Sequence, residues 1–279
     1  MSYTKIFYPN HRRQRTLIAL LMIGAAAAIL SINLIGSGRA IQESKRVNIS
    51  VQGPRPMARA IEVLETRCGC VITYEDPRYV HASDLSEVTA QVRKDLNKFK
   101  PGEAPRVFVP KNEELAIDYD ESTNTKPPDG IAPVVQLLIE KHAARGNAGR
   151  FRMEMSNQVI HVIPSGIRNE RGELAAQNSI LDSVISLPAT DRSGIQTLEA
   201  ICAALTQTNG VRVIVGAVPL NIFFRYHDRE GGISNKARDV LVNLLKGAGN
   251  DLSWQLFYDP GLKMYALNIH RVPTSESSN

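Results

Sequence analysis

The chain has 279 residues, 43% of them hydrophobic and 22% charged, with a formal net charge of +5. That composition excludes a disordered chain and a multi-span membrane protein, and the length suits about two domains. The charge sits at the N-terminus: Lys5, Arg12, Arg13, Arg15 and Arg39 are met by no Asp or Glu before residue 41, and taking those five from the 33 basic residues leaves 28 against 28 acidic ones. A neutral body has no bulk field for a polyanion, so no nucleic acid is expected as a partner.

Residues 1–15 read as a basic cytoplasmic leader. Thr16 to Gly38 then runs for 23 residues without a charge. A helix of that length, at about 1.5 Å per residue, matches a hydrocarbon core roughly 30 Å thick. Positive charge ahead of it keeps the N-terminus inside and sends the rest outward. Segment 16–38 is therefore a signal peptide, cleaved after Ala40, or a single-pass inner-membrane anchor. Its length favours the anchor, because signal-peptide apolar regions run about 7–15 residues. Either way the body is expected in the bacterial periplasm.

The body repeats its own pattern. Leu198, Ile201, Cys202 and Leu205 have the spacing of one buried helix face, and Met57, Ala60, Ile61 and Leu64 repeat it 141 residues earlier. Gly210 and Gly69 then stop the two helices. Strand candidates precede each helix ("VNISV" from Val47, "SVISL" from Ser183) and follow it ("CVITY" from Cys70, "VRVIV" from Val211). A second stripe, Ala237, Val240, Leu241, Leu244 and Leu245, repeats Ile131, Val134, Val135, Leu138 and Ile139 at a spacing of 106. Asp129 is the expected cap of the earlier helix, and Ser234 or Asn235 of the later one. Strands "LAIDYDE" from Leu115 and "IFFRYHD" from Ile222 lead into these helices, and a hairpin follows each. The endings match as well, "IHVIP" from Ile160 and "IHRVP" from Ile269.

The expected architecture is α+β. Two tandem βαβ-type modules, each strand-helix-strand-strand-helix-hairpin, follow one N-terminal apolar helix. The first module covers 46–164, a polar linker 165–180, the second module 181–273, and a flexible tail 274–279. The first carries an insertion, 81–114. Within it Leu85, Val88, Val92, Leu96 and Phe99 predict a helix with a narrow apolar seam, capped by Asp84 and Glu87.

The stretch "ISVQGPRPMARAIEVLETRCGCVITYEDPRYV" resembles the opening of the short N-terminal domain shared by secretins and TonB-dependent receptors. Pro56, Ala60 and Leu64 hold its helix spacing, and Tyr74, Asp76, Pro77 and Val80 lie near its turn. "ARDVLVNLLKGAGNDLSWQLFYDPGLKMYALNI" resembles the second half of that domain. The resemblance implies two helices packed on small sheets, in a non-enzymatic module that docks partners or relays signals in the cell envelope. No secretin or receptor barrel follows, so the chain is at most a stand-alone protein of such modules.

No residue pattern signals catalysis. H-E-x-x-H, G-x-S-x-G and S-x-x-K are all absent. The histidines, among them His161 and His270, stand apart, and the acidic clusters lack Ca²⁺-loop spacing. Neither a metal nor a cofactor is expected. Cys68-Gly69-Cys70 is not a C-x-x-C motif, and a disulfide across one residue is geometrically unfavourable. Cys70 and Cys202 read as small core residues, with Cys68 the exposed one. Trp254, Phe257, Tyr258, Phe223, Phe224 and Tyr226 are the candidate interaction surface, although alternation also puts Trp254, Leu256 and Tyr258 on one core-facing side. The leading expectation is a non-catalytic protein that docks onto other envelope proteins. A periplasmic small-ligand or peptide-binding protein is the alternative, and a divergent hydrolase a remote one. The partner, the pathway and the oligomeric state are not encoded in any motif.

Overall fold

The computed structural model describes residues 45–100, 102–121, 128–228 and 234–273. The leader, the apolar segment 16–38 and the tail 274–279 lie outside them. Among the described residues no helix is long and apolar enough to cross a membrane.

The fold is mixed α+β. In chain order the strands are β1 (Lys45–Gly53), β2 (Ile72–Glu75), β3 (Leu85–Glu87), β4 (Phe108–Pro110), β5 (Glu113–Glu121), β6 (Arg150–Ser156), β7 (Val159–Arg168), β8 (Leu174–Ala176), β9 (Val184–Ser186), β10 (Arg192–Ser193), β11 (Arg212–Val215), β12 (His227–Asp228), β13 (Ser234–Lys236), β14 (Leu252–Asp259) and β15 (Met264–Arg271). The helices are α1 (Pro56–Cys68), α2 (Thr89–Val92), α3 (Ala132–Ala144), α4 (Gly194–Asn209), α5 (Leu220–Phe223) and α6 (Ala237–Ala248).

One sheet organises the molecule. Its order is β11-β15-β14-β2-β7-β6, with β8 added beside β7. Strands β11 and β15 are parallel, as are β14 and β2, and β2 and β7, whereas β14–β15 and β6–β7 are antiparallel hairpins. Read across the sheet, a short strand, a final strand and a penultimate strand occur twice. In the second occurrence every direction is reversed.

The sheet is buried on both faces. Tyr74 and Gln255 are register partners and share a face. Tyr74 belongs to a core with Met57, Ile61 and Leu64 of α1 and with Val135 and Leu138 of α3. Trp254, Leu256 and Tyr258 point the other way, into a core with Leu198 and Ile201 of α4 and with Leu241 and Leu245 of α6. The helices of the first half thus cover one face, and those of the second half the opposite face. Beyond α1 and α3 lies the long ribbon β1–β5, and the smaller pairs β9–β13 and β10–β12 belong to the second half.

Local chemistry accounts for the helix ends. Gly69 and Gly210 stand at φ 61 and 64, the left-handed conformation a C-capping glycine supplies. Ser193 and Gln196 form a capping box at the start of α4. The other expected caps are not used: Ile131 and Lys236 precede α3 and α6 without a side-chain cap.

Three further expectations are corrected. Segment 83–99 is not one helix: β3 pairs with β4, α2 is a single turn, and a 3₁₀ turn covers Leu96–Lys98. Asp84 is drawn away from a cap by its buried ion pair with Arg168. "IFFRYHD" is not a strand, because Leu220–Phe223 coils into α5 and only His227–Asp228 pairs. Within the polar stretch 165–180, β7 continues through Arg168 and β8 pairs with it.

Candidate functional site

The polar residues that the fold buries gather where β14 meets β2, the join between the two halves. On the face covered by α1, Asp76 is 1% exposed. It accepts hydrogen bonds from Arg55 Nε at 2.6 Å, the Tyr74 hydroxyl at 2.8 Å and the Tyr258 backbone N–H at 2.9 Å. Arg55 also donates to the Tyr258 carbonyl at 2.8 Å and lies over the Phe257 ring at 4.7 Å. One carboxylate therefore ties the end of β2 to the end of β14. Burial raises the Asp76 pKa, and the guanidinium opposes that rise.

The opposite face holds a second cluster. Glu75 is fully buried and meets Arg238 of α6 at 2.8 Å. Ser179 donates its hydroxyl to Glu75 and accepts from Arg238 Nη2 at 3.0 Å. Asp182 lies 3.2 Å from the same guanidinium and is also reached by Arg152 of β6. Burial pushes the Glu75 carboxyl up to about 7, with Arg238 and then Ser179 working against it. Two side chains complete the join. Glu65 accepts from the Ile72 N–H at 3.0 Å and pairs with His270 at 2.8 Å, and Gln255 donates to Glu62 at 2.8 Å.

The buried carboxylates Asp76, Glu75 and Glu65 are each engaged by a guanidinium or a backbone N–H, so they tie strands and helices together. His161 is fully buried, bonded through Nδ1 to Thr73 at 2.8 Å and through Nε2 to Ser156 at 2.9 Å, and its ring lies 5.4 Å from that of Trp254. Burial, then the charge of Arg238, lowers its pKa to about 3, so it packs as a neutral ring. Among the described residues no group of three or more His, Cys, Asp or Glu gathers as metal ligands do.

The expected aromatic surface is dispersed. Trp254, Tyr258 and Phe223 are at most 1% exposed, because they face α4 and α6 in the second core. They form no exposed aromatic face. Phe257 is half-buried beneath Arg55, Tyr226 is half-buried, and Phe224 alone of the six is exposed. The cysteine expectation also changes: Cys68 and Cys70 are joined as a disulfide, with their Cα atoms brought to 5.2 Å across the left-handed Gly69. Cys202 is a buried free thiol, pushed by burial up to about 12.

Glu75, Arg238, Arg55 and Glu65 were not singled out by sequence. The available signals were an acidic pair closing an apolar strand, "ITYED", and an Arg on the stripe of α6.

Comparison with known proteins adds no assignment: no family model, curated protein or solved structure matches the chain.

Proposed function

We propose that the protein is a non-catalytic docking component of the bacterial cell envelope, built from two tandem modules similar to the secretin and TonB short N-terminal domain. The uncharged segment 16–38 is its export signal or inner-membrane anchor and places the body in the periplasm. The resemblance calls for two helices packed on small sheets; here α1 and α3 cover one face of the main sheet and α4 and α6 the other.

Matching registers support the duplication. Ile72, three residues after Gly69, pairs with the second residue of β7, Ile160. Val213, three residues after Gly210, pairs with the second residue of β15, Tyr265. A half-turn about an axis across the strands, with a shift of three strands along it, relates β2-β7-β6 to β11-β15-β14, reversing the strands and moving the helices to the other face.

The observation that carries the docking role is the difference between the two rims of the sheet. Ile160 turns its N–H toward β2, donating to Val71 at 3.3 Å. Met155, opposite Ile160 on β6, therefore turns its backbone groups outward, and so does Met153 opposite Val162. Met155 is 44% exposed. The β11 rim is blunted instead at Val213, whose N–H is taken by Thr206 Oγ1 at 2.9 Å. An unblunted strand edge invites an added strand. The docking surface is the outer edge of β6.

A photo-crosslinking residue placed at Met155 in living cells tests this reading. It should capture a discrete envelope protein, whereas the same probe at Val215 should not. Equal capture at both positions, or adducts only with cytoplasmic proteins, would refute it.

A further inference from the structure

A cleft of about 450 Å³ opens at the turn end of the join and is lined from both halves. That size falls in the range of small-molecule sites. Val71 and Val159 from the first half, and Val242, Leu245 and Leu252 from the second, supply apolar side chains to the lining, and Asn157, Gln158 and Asn250 supply polar ones. Among the described residues Lys246 is the one charged residue of the lining, and no described carboxylate accompanies it. Lys246 is exposed, and its ammonium donates to the Asn157 carbonyl at 3.0 Å. An ammonium carries three donors, and among the described residues this one has no ion-pair partner.

The second observation lies deeper. Trp254 lines the same cleft, is 1% exposed, and its indole N–H has no acceptor among the described residues. A buried donor left unmatched is costly, so groups of this kind are usually met by something. A cleft lined by apolar and uncharged polar side chains together, with one orphaned donor and one cation at its rim, suits a ligand with an apolar part and a single anionic acceptor group. A multiply charged phosphate would want more cations, and an amine would meet the wrong charge.

We infer that this cleft binds a small amphiphilic carboxylate, an apolar chain ending in a COO⁻ group, with Lys246 holding the charge. This ligand site is separate from the β6 edge and goes beyond the docking reading, so either can fail alone.

Trp254 is the chain's single tryptophan, so its emission reports on the cleft directly. Titrating the full-length protein with octanoate should change that emission saturably and raise the unfolding temperature. Octylamine, with a similar chain and the opposite charge, should give no saturable change. Lys246→Ala, at an exposed position that leaves the core intact, should weaken octanoate binding by about tenfold, the size of one lost charge contact. Competition by a short peptide with a free C-terminal leucine, but not by its amide, would assign the natural carboxylate to a chain end. Failure of that peptide to compete would assign it to a free acid. The inference is overturned if octanoate gives no saturable response, if octylamine binds equally well, or if Lys246→Ala binds as the unaltered protein does.

Discussion

The join between β14 and β2 and the outer rim of β11 start from the same local design. In each, a helix ends at a left-handed glycine and a short strand follows at the same distance. Counting from that glycine exposes the difference. Six and seven residues on stand Glu75 and Asp76 at the join, but Gly216 and Ala217 at the rim. Fourteen residues before it stand Arg55 at the join and Gln196 at the rim, where Gln196 closes the capping box of α4. Four residues before it, Glu65 and Thr206 do the same work, each covering the N–H of the third residue on. The covering of one backbone group is thus common to both halves, and the ionic clamp is not. A short parallel strand makes few contacts of its own. The buried ions supply orientation, fixing which strand pairs with which, since a buried pair adds little net stability but is expensive to break.

The largest expected effect separates the two places. Asp76→Ala leaves Arg55, the Tyr74 hydroxyl and the Tyr258 N–H without their acceptor, and should cost about 3–5 kcal/mol in denaturant unfolding. Gln196→Ala, at the position of the other half that matches Arg55, should cost only about 1 kcal/mol, the value of a cap. Equal losses would erase the distinction.

The second effect is a pH dependence. Glu75 in the fold titrates near 7, and in the unfolded chain at the ordinary value near 4.5. The fold therefore holds this proton more tightly. Its contribution is fully present below about pH 4.5 and is lost as pH rises toward 7, on the order of 3 kcal/mol. His161 and His142, lowered by burial to about 3 and about 4, act the other way and lose stability as pH falls below about 6.5. Glu75→Gln removes only the first trend. Its stability relative to the unaltered protein should improve between pH 5 and pH 8, measured by urea titration at each pH. A flat difference would place the proton elsewhere.

Smaller effects test what the halves share. Glu65→Ala uncovers the buried Ile72 N–H and unpairs His270, and should cost about 2 kcal/mol. Thr206→Val uncovers Val213 alone and should cost about 1 kcal/mol. Gly69→Ala and Gly210→Ala should each cost about 1 kcal/mol, since both force a side chain into the left-handed region.

Much of the fold was legible because period and punctuation are local. The faces of α1 and α4, the capping glycines and both hairpins follow from apolar spacing and turn residues. What the sequence hid was tertiary. The stripes of α3 and α6 align 106 apart by hydrophobicity, but burial aligns them 103 apart: Val134, Val135, Leu138, Ile139 and His142 match Ala237, Arg238, Leu241, Val242 and Leu245. Apolar spacing missed this shift of about one turn because Arg238 and His142 are buried polar residues. The similar endings "IHVIP" and "IHRVP" are not equivalent either, since Ile160 and Tyr265 occupy the matching register. The insertion does not form the helix its spacing predicts because Leu85 enters β3, which pairs with β4, and the neighbouring Asp84 pairs with Arg168; neither contact leaves a periodic trace. At the candidate site, Asp76 was visible only as a turn residue. Its partners Arg55 and Tyr258 are close in space alone.

Residue-resolved hydrogen exchange on the isolated protein tests the central contrast, a closed join and one open rim, most directly. The amides of Asp76 and Tyr258 should exchange slowest, that of Val213 at an intermediate rate behind its side-chain cover, and those of Met153 and Met155 fastest among the strand amides. If Met153 and Met155 are protected as strongly as Asp76 and Tyr258, the edge of β6 is not open and the account is wrong.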